Sequence, residues 1–178
     1  MIQVKKYSQL VFVLVSLFSS SFVSAELANK KFFQKYPGSF YLSSGSFNIS
    51  RQNVGTNLQA EYRFFYPFFD KEGFYLEPLV GLLATSQYSV YAYSGLTLSL
   101  DLPKSLRLGF GLAPGLYLKG HGQDLGFPLE FKTSAELSYG FSNGFRFGGM
   151  FYDLSNAGLM KKDPGLRTFV FFFALPVS

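Results

Sequence analysis

The sequence predicts an all-β protein, an eight-stranded antiparallel transmembrane β-barrel of the outer-membrane type. Three observations favour this fold class: an export signal at the N-terminus, an apolar and aromatic composition without a helical span, and segments in which apolar and polar residues alternate.

The first stretch of the chain has the parts of a secretory signal peptide. A positively charged start at Lys5 and Lys6 is followed by an apolar core over residues 10–18. The stretch ends in Val23-Ser24-Ala25, which puts small residues at the positions that signal peptidase accepts. A transmembrane anchor needs ~20 apolar residues, and this run is shorter and rich in serine. We therefore expect a signal peptide over residues 1–25.

The composition narrows the class of the remaining barrel domain, residues 26–178. The chain is 20% aromatic, with 23 Phe and 18 Gly, and no segment after residue 25 is long and apolar enough for a spanning helix. A closed barrel suits such an exported chain, because its backbone hydrogen bonds are satisfied between strands. With no cysteine and one histidine, His121, we expect no disulfide, no cofactor and no metal centre. Without Lys5 and Lys6 the formal net charge falls from +5 to about +3, which is small and scattered and argues against nucleic acid as a partner.

Alternation of apolar and polar residues defines the predicted strands. In residues 129–139 the odd positions are apolar apart from Thr133, and the even positions are polar or charged. Successive strand side chains point to opposite faces, so this segment is a strand of membrane-crossing length. The same period recurs in residues 58–66 and 106–119. The eight predicted strands cover residues 39–50, 56–67, 73–84, 88–101, 105–119, 126–141, 144–156 and 166–177.

The connections between these strands set the orientation of the barrel. Turn-forming residues lie near positions 70, 103 and 143. Because an exported chain starts in the periplasm, these three turns are predicted to be periplasmic. The loops predicted to face outward are those near positions 53, 86, 122 and 160.

The charged face of the strands is predicted to line the interior. Eight strands enclose a space just wide enough for side chains, and buried charges need partners. We therefore expect a lumen filled by ion pairs rather than an open pore or a pair of catalytic carboxylates. A soluble lipocalin-like barrel would have the reverse pattern, apolar inside and polar outside. The residues concerned are Glu61, Glu77, Glu130, Glu136, Arg63, Arg107, Lys132 and Arg146.

The seventh strand carries two polar side chains that a lipid-facing surface does not need. By alternation, Phe147 and Phe151 face lipid, and Asp153 and Ser155 point to the same side near the outer end. Polar groups in that position are costly and often serve a function. Two interpretations stay open: a functional site, or a strand that ends in a Ser-Asn-Ala-Gly turn within the headgroup zone.

The segment Ser155-Asn156-Ala157-Gly158-Leu159, followed by Asp163-Pro164-Gly165, resembles the C-terminal motif of the PagL-type lipid A 3-O-deacylases, also called acyloxyacyl hydrolases. Upstream, Ala113-Pro114-Gly115-Leu116-Tyr117 and Leu129-Glu130-Phe131 stand in a similar order and spacing. The resemblance covers most of the predicted mature chain. It implies a barrel in the bacterial outer membrane that hydrolyses the ester of the 3-position acyl chain of lipid A. Lipid A, or lipopolysaccharide, is the partner that it implies.

The resemblance also implies roles for individual residues, with two departures. The family pattern is His-x-Ser-Asn, with an acidic residue about a dozen positions after the serine. Ser155 matches the nucleophile, and Asn156 matches a residue that helps to form the oxyanion hole. The histidine position holds Asp153, and the acid position falls on Arg167, or on Thr168 if the loop shifts by one. The triad that the resemblance implies is thus unmatched at its base and at its acid.

These departures leave the activity open. A carboxylate with a pKa of about 4 is poorly suited to take a proton from a hydroxyl at neutral pH. An ion pair between Asp153 and Arg167 on the next strand would weaken this base further while stabilising the pairing of the strands. His121, in a Gly-flanked outer loop, is a candidate replacement base, although a solvated loop histidine is the simpler interpretation.

Two functions follow from the sequence. One is a lipid A deacylase with altered or impaired machinery, and the other is an inactive relative that keeps the barrel and binds lipopolysaccharide. Lysines on the outer loops, Lys119, Lys161 and Lys162, either attract the phosphates of lipid A or are ordinary solvated charges.

Overall fold

The structure is a computed structural model that describes residues 38–47, 55–65, 73–161 and 163–177. The predicted signal peptide, the predicted turn near residue 70 and Lys162 lie outside these ranges. Among the described residues, no helix is long and apolar enough to cross a membrane.

The described residues form eight antiparallel strands that close into a barrel. Each strand pairs with its neighbours along the chain, and the first strand pairs with the last, so the sheet has no free edge. The predicted fold class is confirmed. The strands are β1 (Gly38–Phe47), β2 (Gly55–Phe64), β3 (Phe74–Thr85), β4 (Val90–Leu102), β5 (Leu106–Leu118), β6 (Leu129–Gly140), β7 (Arg146–Ser155) and β8 (Leu166–Val177).

Among the predicted strand bounds that fall on described residues, the start of β6 departs most from the observed one. The prediction began this strand at residue 126, whereas the structure begins it at Leu129. Gly126 has a φ of 94°, and its N–H donates to the Asp124 carboxylate at 2.9 Å, so it belongs to the outer loop. Pro128, two residues later, has no N–H to donate to a neighbouring strand.

The two faces of the barrel differ as the alternation predicts. On β2, Leu58 and Phe64 are exposed, whereas Gln59, Glu61 and Arg63 are buried. Polar side chains inside and apolar side chains outside are typical of a membrane barrel and the reverse of a lipocalin-like one. The apolar belt includes Leu82, Leu96, Leu98, Phe110, Leu112, Leu137, Tyr139, Phe147, Phe151, Phe169, Phe171 and Phe173.

An ion-pair network fills the middle of the lumen. The two terminal nitrogens of Arg63 each lie 2.7 Å from one Glu136 carboxylate oxygen, and its Nε lies 2.6 Å from Glu61 Oε1. Lys132 Nζ lies 3.2 Å from Glu61 Oε2. Gly109 makes room for this cluster, because a Cβ there would lie 2.7 Å from the Glu136 side chain.

Three of the eight predicted inward charges depart from the expected pairing. Arg107 contacts Glu77 at 3.6 Å but lies closest to an acid that was not among the predicted inward charges: Asp101, directly across on β4, at 2.6 Å. Arg146 donates to Ser138 and to the Ser105 backbone instead of an acid. Within the described residues, both carboxylate oxygens of Glu130 are buried and accept no hydrogen bond. The lumen is packed, but its pairing differs from a one-to-one match of the predicted acids and bases.

Candidate active site on the membrane face

Asp153 and Ser155 lie on the outer surface of β7, close to the outer end of the barrel. Both side chains are half-buried, whereas the intervening Leu154 and the preceding Tyr152 are buried in the interior. Ser155 is the last residue of the strand, so its hydroxyl lies where the apolar belt gives way to the outer loops. The alternation of the seventh strand therefore brings a serine and a carboxylate to the edge of the lipid-facing surface.

The neighbouring strands surround this pair with one charge and small or apolar groups. Thr133 of β6 and Arg167 of β8 lie directly opposite Asp153, and Phe131 lies opposite Ser155. Arg167 Nε is 3.9 Å from Asp153 Oδ1, and the side chains are 67% and 36% exposed. The pair is loose and solvated, so it contributes at most about 1 kcal/mol to folding.

The carboxylate of Asp153 does not contact the hydroxyl of Ser155. Residues two apart on a strand are separated by ~6.8 Å, and an aspartate side chain is short compared with a histidine ring. Within the described part of the chain, the Ser155 hydroxyl makes no hydrogen bond. The arrangement brings a nucleophile and an acid group to the same surface without the direct contact of an activated pair.

Asn156 has a different orientation from its neighbour Ser155. Its side chain is buried on the inner side, where the amide nitrogen donates to the Leu125 carbonyl at 3.1 Å. Leu125 belongs to the loop between β5 and β6, residues 119–128, so Asn156 fastens that loop over the outer end of the barrel. Gln123 of the same loop donates to the Gly165 carbonyl at 3.1 Å. The amide side chain therefore acts as an anchor for the loop, on the opposite side of the strand from the serine hydroxyl.

The backbone just after Ser155 forms a tight turn around a carboxylate. Asp163 accepts hydrogen bonds from the N–H of Asn156 at 3.2 Å and from the N–H of Gly158 at 3.1 Å, one to each oxygen. Leu159 N–H closes the turn on the Asn156 carbonyl at 3.1 Å. Asp163 begins the Asp-Pro-Gly segment of the motif, but its side chain was not among the predicted site residues.

His121 is held at another part of the outer rim. Its backbone N–H donates to the Gln87 carbonyl at 2.9 Å, and its ring packs edge-on against Tyr88 with centroids 5.6 Å apart. Both contacts lie on the turn between β3 and β4, and two strands, β5 and β6, separate that turn from β7. The structure thus brings Ser155, Asp153 and Arg167 together and assigns His121 contacts elsewhere.

No metal ligand set accompanies these residues. Within the described ranges, no group of three or more His, Cys, Asp or Glu side chains is arranged to hold an ion.

The fold and the site together define a class of protein: an outer-membrane β-barrel with a serine-containing polar site at the outer edge of its lipid-facing surface. The family described as lipid A 3-O-deacylase (PagL) matches residues 60–176 of the sequence. The chain belongs to this PagL family, as its C-terminal motif predicted. A search of curated protein sequences gave no match.

Solved structures with the same fold include a family member. The crystal structure of the outer membrane enzyme PagL is similar with a TM-score of 0.66 and 16% identity, over 78% of this chain and 99% of that chain. A structure from de novo design of transmembrane β-barrels is similar with a TM-score of 0.53 and 11% identity, over 79% of this chain and 97% of that chain. At these identities the likeness shows the fold, and the location in the outer membrane follows from the family.

Proposed function

We propose that the protein is a lipid A deacylase-type ester hydrolase, with Ser155 as its nucleophile and with Asp153 as its base, a weaker base than the histidine of the family pattern. The observation that supports this most directly is the position of Ser155 at the outer edge of the lipid-facing surface, in a chain of the PagL family. A hydroxyl at that depth is close to the ester bonds that join acyl chains to a lipid headgroup.

The surroundings of Ser155 suit a lipid with an anionic headgroup. Below it lie the exposed rings of Phe151 and Phe169, paired across β7 and β8, which an acyl chain would cover. Above it lies Lys161, exposed in the outer loop, and one step along the strand Arg167 lies beside Asp153. Basic groups at a membrane surface attract phosphorylated headgroups, so the substrate we propose is lipid A within lipopolysaccharide.

The reaction we propose is a two-step ester hydrolysis. Ser155 Oγ attacks the ester carbonyl carbon, its proton passes through a water molecule to Asp153, and the sugar hydroxyl leaves with that proton. A second water then cleaves the acyl-serine ester and releases the fatty acid. The water relay is needed because Asp153 and Ser155 are ~6.8 Å apart along the strand. Asp153 would act as the base, and Arg167 would hold its carboxylate.

The contact between Asp153 and Arg167 favours a second candidate function. This arginine lies where the family pattern has an acid, so the carboxylate that would orient a base is missing from that position. A barrel that binds lipopolysaccharide without cleaving it would keep the same outer surface and basic rim.

Mass spectrometry of lipid A from a host that expresses the protein distinguishes the two functions. We expect loss of one acyl chain with the wild type and intact lipid A with Ser155→Ala. Ser94→Ala is the matched control, since Ser94 is also a serine on the lipid-facing surface, on β4. Intact lipid A with wild type and control alike, in a barrel shown to be folded in the outer membrane, would favour the binding protein.

A further inference from the structure

The turn after Ser155 has the geometry of an anion-binding site. Ala157 and Gly158 both have positive φ, 56° and 75°, so the N–H groups of Asn156 and Gly158 converge on one point. Concave turns of this kind bind anions through successive backbone N–H groups. A non-glycine residue such as Ala157 adopts positive φ at a cost of roughly 1–2 kcal/mol, so the turn is held by surrounding contacts.

An anion of the protein itself fills the site. Each oxygen of the Asp163 carboxylate accepts one of the two N–H groups, at 3.2 and 3.1 Å, as two oxygens of a phosphate would. Asp163 and Gly158 are exposed, so the site is open to the surrounding medium on that side. The first of the two donors belongs to the residue that follows Ser155.

We propose that the N–H groups of Asn156 and Gly158 form an oxyanion site beside Ser155, and that Asp163 is a built-in competitor for it. The ligand class is a phosphate or another oxyanion of a lipid headgroup. The Asp163 carboxylate stabilises the turn while no external anion is bound. It must be displaced before an external oxyanion binds. Four residues join Gly158 to Asp163, and a tether this short gives a local concentration in the millimolar range or above.

The same arrangement has a consequence for catalysis, which rests on the proposed function. During attack by Ser155, negative charge develops on the ester oxygen, and nearby backbone N–H groups stabilise it. A carboxylate on these donors both withholds them and repels that charge. The contact of Asp163 with these N–H groups is thus autoinhibitory. It lowers the rate of hydrolysis further than the absence of the family's histidine does alone.

The binding part of the proposal is tested without catalysis. The probe is inorganic phosphate, titrated into the ¹⁵N-labelled barrel in uncharged detergent micelles while the amide signals of Asn156 and Gly158 are followed by NMR. We expect Asp163→Ala to give saturable shifts at both amides, and the wild type to need about tenfold more phosphate for the same shift. Asp163→Asn, which keeps one acceptor oxygen, should lie between them.

Asp124→Ala is the matched control for charge. Asp124 is also a carboxylate of the outer rim that accepts a backbone hydrogen bond, from Gly126 at 2.9 Å, and its loss changes the net charge equally. A response of this control equal to that of Asp163→Ala would overturn the proposal, as would equal responses of the wild type and Asp163→Ala. If Asp163→Ala loses the turn, seen as fast hydrogen exchange at Leu159, then Asp163→Asn decides, and its failure to respond to phosphate overturns the proposal.

A second readout separates this inference from the proposed function. If the wild type removes an acyl chain from lipid A, Asp163→Asn should remove it faster. A slower reaction would mean that Asp163 only supports the turn and would overturn its inhibitory role. If no variant cleaves lipid A, the proposed function fails, while the phosphate titration still supports or overturns the anion site.

Discussion

The barrel contains two arginine–carboxylate contacts of opposite character. In the lumen, Arg63 is 2% exposed and binds Glu136 through two parallel hydrogen bonds of 2.7 Å. On the membrane face, Arg167 is 67% exposed, and its closest approach to Asp153 is 3.9 Å. If the inner contact loses one residue, no water is available to solvate the remaining charge. If the outer contact loses one residue, solvent takes its place. An arginine–carboxylate pair therefore stabilises the fold in the lumen, whereas on the membrane face its residues can be substituted with little effect on stability.

The largest effect is expected when the inner contact is broken. Arg63→Ala leaves Glu136 buried without its bidentate partner and Glu61 with Lys132 alone, and removal of one partner from a buried pair costs about 3–5 kcal/mol. We expect a marked fall in the urea midpoint of unfolding, or failure to assemble. Unfolding is followed by the heat-dependent gel shift of the barrel and by far-UV circular dichroism, because the chain has no Trp for fluorescence. An unchanged midpoint would contradict a structural role for the network.

A large effect on rate is expected when the outer contact is rebuilt. Asp153→His with Arg167→Glu restores the residue types of the family pattern, and a positioned general base contributes about 10²–10⁴ in rate. We expect faster loss of an acyl chain from lipid A by mass spectrometry, with little change in the unfolding midpoint. Adding Ser155→Ala to the pair of substitutions should abolish the gain. No gain from the pair would argue against loss of the triad as the explanation for weak activity.

An intermediate effect is expected at the point where the outer loop is fastened to β7. Asn156→Ala removes the hydrogen bond to the Leu125 carbonyl, which is buried, at a cost of about 1–3 kcal/mol. Because the loop also has contacts through Gln123, we expect local opening rather than unfolding of the barrel. Limited proteolysis within residues 119–128 measures this opening. Protection equal to that of the wild type would show that the Asn156 amide is not an anchor.

The smallest effect on stability is expected when the outer contact is broken alone. Arg167→Ala should change the free energy of unfolding by at most about 1 kcal/mol, because the pair is solvated and screened by salt. The same urea titration that is used for Arg63→Ala measures it, so the two arginines serve as controls for one another. A loss as large as that of Arg63→Ala would remove the contrast between the two regions.

The strand pattern predicted most of the fold because each strand alternates between lipid and lumen. The predicted β8 has the bounds of the observed strand, and residues of β2 face the sides expected of them. Pairing across the lumen was harder to foresee. Asp101 ended the predicted strand 88–101 and preceded Leu-Pro, so it was not counted among the inward charges, yet it lies directly opposite Arg107. Register between strands, which alternation along one strand does not specify, decides such partners.

The site was predicted in part for a related reason. Alternation brings Asp153 and Ser155 to one surface, and the antiparallel return of the chain brings Arg167 beside them. The contacts of His121 with the β3–β4 turn depend on how two loops pack, which follows no period in the sequence. The contact of Asp163 with the turn after Ser155 depends on two positive φ angles, one of them at an alanine, where sequence gives little warning.

The packed lumen also has an electrical consequence. With Arg63 bound to Glu136 and Lys132 bound to Glu61 across the interior, an ion crossing the barrel would have to displace side chains that are already neutralised by one another. We expect such a barrel to add no conductance when it is inserted in a planar bilayer. A cell can therefore carry many copies of this surface without making its outer membrane leakier to small solutes.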